Sequence, residues 1–519
     1  MPLEHLEQLY QRIGSGTFDT HRHSLELTTL TSRALMRRLA MPVTTVLFAG
    51  CLDPLGAPPP PTSLNVLEEN LRPGSTAWGA GLSVGADSDI SGFGLPFSLQ
   101  AEETLHVFVS AKTAVSVSIY RLGWYGGTGA RLVAKHAFRP VRQQPPCSPA
   151  IPGPFACDWF ETDRFVVDAR WMPGVYLARV ADSVQRARAF PFVVRSSRPA
   201  AFVVVLPFAT YEAYNAWGGT SLYRGPGSTR AESYANRAVK VSFARPFTQM
   251  VVSGAFLGVD YLLVRWLEQN AYDVSYVSDY DFHNGVGPPV PPVAWLFAGH
   301  SEYWTWPMWL RANEARAQGV NLGFLGGNDV YWVARFETVR TSGLEAPVVV
   351  CYRDATHDPQ GGIPGLATVL FRSPPNNSPE NALVGVMSGH DKLIQGSPID
   401  LTVANGSDPL FAGTGLKTGD HIPQVAGWEA DRIVDNGATP PGVRVLFQSQ
   451  YVALGDTGSG ELLQSTIYAW PGSGALVYAS GEPGFAWGLA TYSQHVASPA
   501  LQRFLQNVLE AFVAVRSNR

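Results

Sequence analysis

Two hydrophobic patterns that do not belong to one sheet divide this chain at the polar segment Ser196-Ser197-Arg198-Pro199. Before it, from about Trp78 to Val194, short runs alternate apolar and polar residues, as in Leu105-His106-Val107-Phe108-Val109 and Val115-Ser116-Val117-Ser118-Ile119-Tyr120. A period of two without any helical stretch predicts an antiparallel β-sandwich over residues 75–196. Pro173-Gly174 starts another turn and strand, and Phe192-Val193-Val194 ends the series. After the break, near-continuous apolar strands alternate with amphipathic helices. Strands are expected at residues 201–206, 272–277, 293–298 and 320–325, with helices over 256–269 and 307–318. Two more strands, 443–447 and 475–479, precede a last helix opened by Ser498-Pro499 and carrying Leu501, Phe504, Leu505, Val508 and Phe512. That rhythm predicts an α/β domain over residues 200–519, a three-layer arrangement with a largely parallel sheet covered on both faces.

Composition narrows the function. Charged residues are 15% of the 519, with 38 Lys+Arg against 42 Asp+Glu and a net charge of −4, so no broad basic surface is available for nucleic acid. The 51 Gly and 40 Pro exceed what a helical bundle tolerates. Apolar runs such as 201–206 fall short of the roughly 18 to 20 residues that cross a bilayer, and no transmembrane helix is expected.

The N-terminal region carries a different signal. Arg37 and Arg38 precede an apolar run from residue 39 to 49 that closes as Phe48-Ala49-Gly50-Cys51, a layout similar to a bacterial lipobox in which Cys51 receives the lipid. Residues 1–51 are then an upstream extension, ahead of a start at Met36, plus a lipoprotein signal, and the Pro-rich residues 52–74 form a tether. The expected location is the bacterial cell envelope, with the lipid anchor as the sole membrane contact. The competing reading is a buried apolar segment that ends in cysteine. Cys147 and Cys157 share one Pro-rich loop and are close enough to bridge in an oxidising compartment; otherwise they are two reduced thiols.

In an open parallel sheet, ligands bind beyond the carboxyl ends of the strands. Those ends here are polar and aromatic: residues 210–223 hold Tyr211, Tyr214 and Tyr223, residues 299–304 read Gly-His-Ser-Glu-Tyr-Trp, and residues 326–332 begin Gly-Gly-Asn. Any single aromatic here could simply wall the sheet. Glu302 and His300 are harder to dismiss, because ionisable groups at a strand end must be solvated, paired or ligated. Ser301 sits where a nucleophile elbow would, but lacks the second glycine of that turn, which leaves a serine hydrolase as one alternative. Cys351 follows Val348-Val349-Val350 and reads as a buried strand thiol. The other reading makes Glu302 a metal ligand with tyrosines completing the shell, a hard anionic oxygen set suited to Fe(III) rather than to zinc.

Residues 119–127 (IYRLGWYGG), Ala213-Tyr214-Asn215, Ser221-Leu222-Tyr223, residues 299–304 (GHSEYW), Gly326-Gly327-Asn328 and residues 427–432 (GWEADR) together resemble the N,N-dimethylformamidase large (beta) subunit family, from about residue 75 to the end. The resemblance implies a β-sandwich followed by a domain similar in fold to class I glutamine amidotransferases without their catalytic cysteine. It implies a mononuclear iron on Tyr214, Tyr223 and Glu302, with Tyr211 a rival for Tyr214. It further implies His300 and Asn328 as pocket residues and Glu429 as the acid/base carboxylate. The expected function is iron-dependent hydrolysis of a C–N bond in a small amide substrate, by a chain that could form a homo-oligomer. The chain departs from the family in being shorter than the large subunit, in holding nothing like the small subunit and in its export signal. The alternative from another class is a non-catalytic surface lipoprotein that binds glycan or protein.

Overall fold

The computed structural model describes residues 63–82, 89–147, 154–184, 186–389, 393–456 and 460–517. The signal segment, Cys51 and residues 52–62 of the tether lie outside the described residues.

In the N-terminal part, strands Ile90–Leu95, Thr104–Ala111 and Asp163–Val166 form a three-stranded antiparallel sheet. Strands Ser98–Leu99, Ala187–Val194, Gly174–Asp182, Val115–Leu122 and Ala130–Arg139 form a five-stranded sheet, antiparallel except for its first pair. The two sheets touch at Gly94, where a Cβ would come within 2.6 Å of Phe190 on the other sheet. Alternation predicts one buried face, yet Val115–Leu122, Gly174–Asp182 and Ala187–Val194 are buried along their whole length. The reason is the C-terminal part, which bonds to this sheet: Arg121 meets Glu268 at 2.8 Å, and Arg195 meets Asp281 at 2.7 Å. Both members of the first pair are fully buried, so losing either would strand the other charge.

Cys147 and Cys157 are disulfide-bonded. Just inside that bridge the backbone enters the C-terminal part, with Phe155 N donating to Lys240 O at 3.3 Å and Cys157 N to Ala244 O at 2.8 Å.

The C-terminal part is built on a seven-stranded sheet whose strands, in chain order, are β1 (Phe202–Leu206), β2 (Val274–Ser278), β3 (Ala294–Gly299), β4 (Asn321–Gly326), β5 (Arg444–Tyr451), β6 (Glu461–Ala469) and β7 (Leu476–Ala479). The spatial order is β2-β1-β3-β4-β7-β6-β5. The run from β2 to β7 is parallel, but β6 and β5 join antiparallel, so the sheet is mixed at one edge. The expectation of a largely parallel sheet omitted that edge because β6 carries no helix before it and reads as polar: Glu461 and Gln464 interrupt its apolar run.

Helices follow local signals. Helix α1 (Phe208–Tyr214) starts one residue after Pro207. A longer helical stretch begins as a π-helix over Met250–Asp260 and continues as α2 (Tyr261–Gln269). By length and composition this stretch is apolar enough to span a bilayer, which corrects the expectation from shorter runs, yet 78% of it is buried within the protein, as befits a core helix. Ser278 and Asp281 form a capping box for α3 (Asp279–His283). Thr305 caps α4 (Trp306–Ala317), with Pro307 in the first turn where its missing N–H costs nothing. Helix α5 (Pro499–Ser517) buries Leu501, Phe504, Leu505, Val508 and Phe512. A second sheet, Lys240–Ser242, Leu344–Val350, Trp332–Thr341 and Tyr303–Thr305, completes the walls around the carboxyl ends of β1, β3 and β4.

Candidate active site

The carboxyl ends of β1, β3 and β4 meet where two parallel strands come unusually close. A Cβ on Gly326 would overlap the carbonyl of Gly299, and Gly299 itself has φ 52°, so neither position has room for a side chain. The turn after β3 then delivers His300, Ser301 and Glu302 in sequence. The turn after β4 delivers Asn328, held at φ 52° by its own N–H, which donates to Asp431 Oδ1 at 3.1 Å and Oδ2 at 3.0 Å.

His300 is the hub. Its Nδ1 donates to Gly327 O at 2.9 Å, which fixes the ring. Its Nε2 lies 3.2 Å from Tyr214 Oη and 3.3 Å from a carboxylate oxygen of both Glu302 and Glu429. Burial opposes a charge on the imidazole, but the Glu429 and Glu302 carboxylates outweigh it and push His300 up to about 10. Glu302 has the mirror-image balance: burial opposes its ionisation, while His300 and the Arg353 guanidinium hold its carboxyl below the usual range. Glu429 is pushed up to about 7 by burial and by the Glu302 charge, and it accepts from Asn328 Nδ2 at 2.9 Å. One buried cluster thus holds an ionised carboxylate, an imidazolium and a carboxyl poised near neutrality.

The two tyrosines complete it. Tyr214, at the end of α1, stacks on Tyr223 with ring centroids 4.4 Å apart, and the Tyr223 hydroxyl donates to Glu302 Oε1. Burial, then the Glu302 charge, raises both phenols well above 10. The three oxygen donors are buried and converge, and Glu302 Oε2 has no hydrogen-bond partner although it lies 3.3 Å from His300 Nε2. Two phenols and one carboxylate that can together offer three negative charges fit a hard trivalent cation, whose charge would reverse the field that keeps the phenols neutral. Among the described residues no group of three or more His, Cys, Asp or Glu is arranged to hold a metal ion, so a centre here draws on the tyrosines.

Tyr211 and Tyr214 go separate ways. The Tyr211 hydroxyl donates to Asp260 Oδ2 rather than pointing at Glu302. Ser301 is buried, its Oγ accepts from Trp304 Nε1 at 2.9 Å and its N–H donates to Asp329 Oδ1 at 3.1 Å, while His300 bonds elsewhere. Among the described residues no base is hydrogen-bonded to the Ser301 hydroxyl. Burial pushes the Cys351 thiol well up, and its Sγ reaches only the carbonyls of Val333 and Thr368, as a strand thiol would.

Three residues escaped the sequence reading. Thr210 Oγ1 accepts from the N–H groups of Glu302 and Tyr303 at 3.1 and 3.3 Å, pinning the turn. Arg353, at φ 60°, lays its guanidinium 3.7 Å over the Tyr223 ring and donates to the Tyr303 hydroxyl. Asp260 lines a small pocket together with Tyr211, Tyr214, His300 and Trp428. Arg353 follows a strand ending at Val350 that pairs antiparallel, outside the reach of the strand-end rule for parallel sheets, and Asp260 lies inside a helix, so neither carried a signal.

The family model described as N,N-dimethylformamidase beta subunit-like, C-terminal, matches residues 116–498. No curated protein matches the chain.

Proposed function

Because the chain belongs to the N,N-dimethylformamidase beta subunit-like family, we propose that it hydrolyses the C–N bond of a small amide, with ferric iron held by Tyr214, Tyr223 and Glu302. The observation that carries the reading is the convergence of these three buried oxygen donors beside His300 and Glu429. Ferric iron supplies a Lewis acid that polarises a carbonyl or lowers the pKa of a water.

The remaining chemistry belongs to the side chains. His300, its ring fixed by the Nδ1 bond to Gly327 O and its Nε2 directed at Tyr214, Glu302 and Glu429, stabilises negative charge developing on the amide oxygen. Asn328 holds Glu429 by one oxygen and leaves Oε1 without a partner. Glu429 takes a proton from water and returns it to the departing amine. Met250, Val251, Ala255 and Val259 give the pocket an apolar wall that excludes bulk water.

Iron analysis and a visible spectrum of the purified protein test the reading, together with turnover of formamide, N-methylformamide and N,N-dimethylformamide. Stoichiometric iron with amide turnover is expected. A colourless protein free of iron after expression with adequate iron, inactive on all three amides, would favour the non-catalytic surface lipoprotein.

A further inference from the structure

The mechanism gives Arg353 no task, yet its guanidinium lies 3.7 Å over the Tyr223 ring. It is boxed by aromatics: the Tyr303 and Trp332 rings lie 5.6 and 4.9 Å from it, and its Nη2 donates to the Tyr303 hydroxyl. Among the described residues it makes no ion pair, and its Nε is buried without a hydrogen-bond partner. A guanidinium drawn out of water without a carboxylate is costly to keep unless a neighbour supplies negative charge. The backbone is arranged to put it there. Arg353 has φ 60°, a left-handed conformation uncommon for such a residue. Its N–H donates to Thr368 O at 2.8 Å and the Tyr352 N–H donates to Thr368 Oγ1 at 2.9 Å. Asp358 fixes Thr368 in turn, accepting from its N–H at 2.9 Å and its hydroxyl at 2.6 Å. A strained residue held this firmly points to a use for the side chain it aims. The two tyrosines are thereby unequal: among the described residues no guanidinium lies over the Tyr214 ring, whose hydroxyl instead faces His300.

We propose that Arg353 is a positioning residue that draws electron density out of the Tyr223 phenolate, making Tyr223 the weaker of the two phenolate donors and the ferric site a stronger Lewis acid. The inference rests on the ferric reading of this site. A cation over an aromatic face is attracted to the ring's π electrons, and the attraction grows when the ring is anionic and water is excluded. Phenolate electrons held more tightly bond less strongly to a metal and are harder to promote onto it. A cation beside the site also favours the less charged, reduced metal. Arg353 therefore leaves a signature with a fixed direction in the charge-transfer energy and in the reduction potential.

The test compares Arg353→Gln, Arg353→Lys and Tyr303→Phe with wild type, each loaded with iron, by visible spectroscopy and spectroelectrochemical titration. Arg353→Gln should move the charge-transfer band to longer wavelength and lower the ferric/ferrous potential. Arg353→Lys keeps the charge without the planar contact and should fall between wild type and Gln. Tyr303→Phe removes one hydrogen bond that holds the guanidinium and should move both readings the same way by less. On whichever formamide wild type turns over, Arg353→Gln should lower kcat by about tenfold. If Arg353→Gln does not fold or does not load iron, the Lys and Phe variants decide, and a band unmoved in both overturns the inference. If no formamide is turned over, the hydrolase reading fails and the spectra and potentials alone decide. A band in Arg353→Gln that is unmoved or moved to shorter wavelength, or moved equally by Lys and Gln, overturns the inference while leaving the ferric site intact. A wild type that holds no iron overturns the ferric site and this inference together.

Discussion

Replacing Glu429 by Gln should make the metal-free protein more tolerant of alkaline pH and the loaded enzyme nearly inactive. In the folded protein burial and the Glu302 charge raise this carboxyl from 4.5 to about 7. The folded state therefore binds the proton more tightly than the unfolded chain, and the associated stability is present below pH 4.5 and lost as pH rises through 7. At about 1.4 kcal/mol per unit, the loss between pH 5 and pH 8 is on the order of 2 to 3 kcal/mol. Gln has no titration and forfeits none of it. It also turns Oε1, which has no partner, into an amide nitrogen or oxygen that is equally unpaired, a fixed cost of about 1 to 3 kcal/mol that does not vary with pH. The stability difference between Glu429→Gln and the parent should therefore swing by roughly 2 to 3 kcal/mol in favour of the variant between pH 5 and pH 8. Urea denaturation of chelator-treated protein, followed by tryptophan fluorescence at both pH values, reads that swing. Turnover of the iron-loaded variant should fall by roughly 10²- to 10⁴-fold with iron retained, the loss expected for a missing general acid/base. A swing below about 0.5 kcal/mol together with turnover within tenfold of the parent would refute both the buried-carboxyl argument and the role given to Glu429.

Tyr214→Phe and Tyr223→Phe should each shift or abolish a phenolate-to-iron charge-transfer band, read by visible spectroscopy, with a band unaffected by either change counting against both as ligands. Glu302→Gln should cost iron and activity together, whereas Ser301→Ala should keep iron and much of the turnover; metal analysis and rate assays check this, and a dead Ser301→Ala with a trapped covalent adduct would install the serine mechanism. Cys51→Ala should release the mature protein from the membrane fraction or stall its processing, which fractionation and N-terminal sequencing will show.

Much of this was legible because the strands carry their own pattern. Val115 to Tyr120 alternates, and Ala294 to Ala298 and Leu322 to Leu325 are largely apolar, where the structure has strands, and the glycines that end β3 and β4 mark the close approach that makes a crevice. His300, Glu302 and Asn328 could be read from position alone, since polar residues at three neighbouring strand ends need a common reason to be there. Glu429 needed the resemblance, because it sits on a long connection between β4 and β5 whose path no periodicity predicts. What stayed hidden were two groups whose partners lie far away along the chain. Asp260 occupies one position of an apolar helix, and a π-helical winding, not a composition, aims it at the pocket. Arg353 reads as a surface cation until the strand before it is known to end beside Tyr223, where an aromatic face and the Glu302 charge give the guanidinium a reason to be half-buried. The pattern of a sequence thus reports what a residue's neighbours along the chain require. A buried charge is explained by neighbours across the fold, and here those neighbours are other charges: the imidazolium of His300 is stable only because Glu429 and Glu302 face it, Glu302 is held ionised against burial by His300 and Arg353, and Glu429 is pushed up by burial and by the Glu302 charge while His300 opposes the rise.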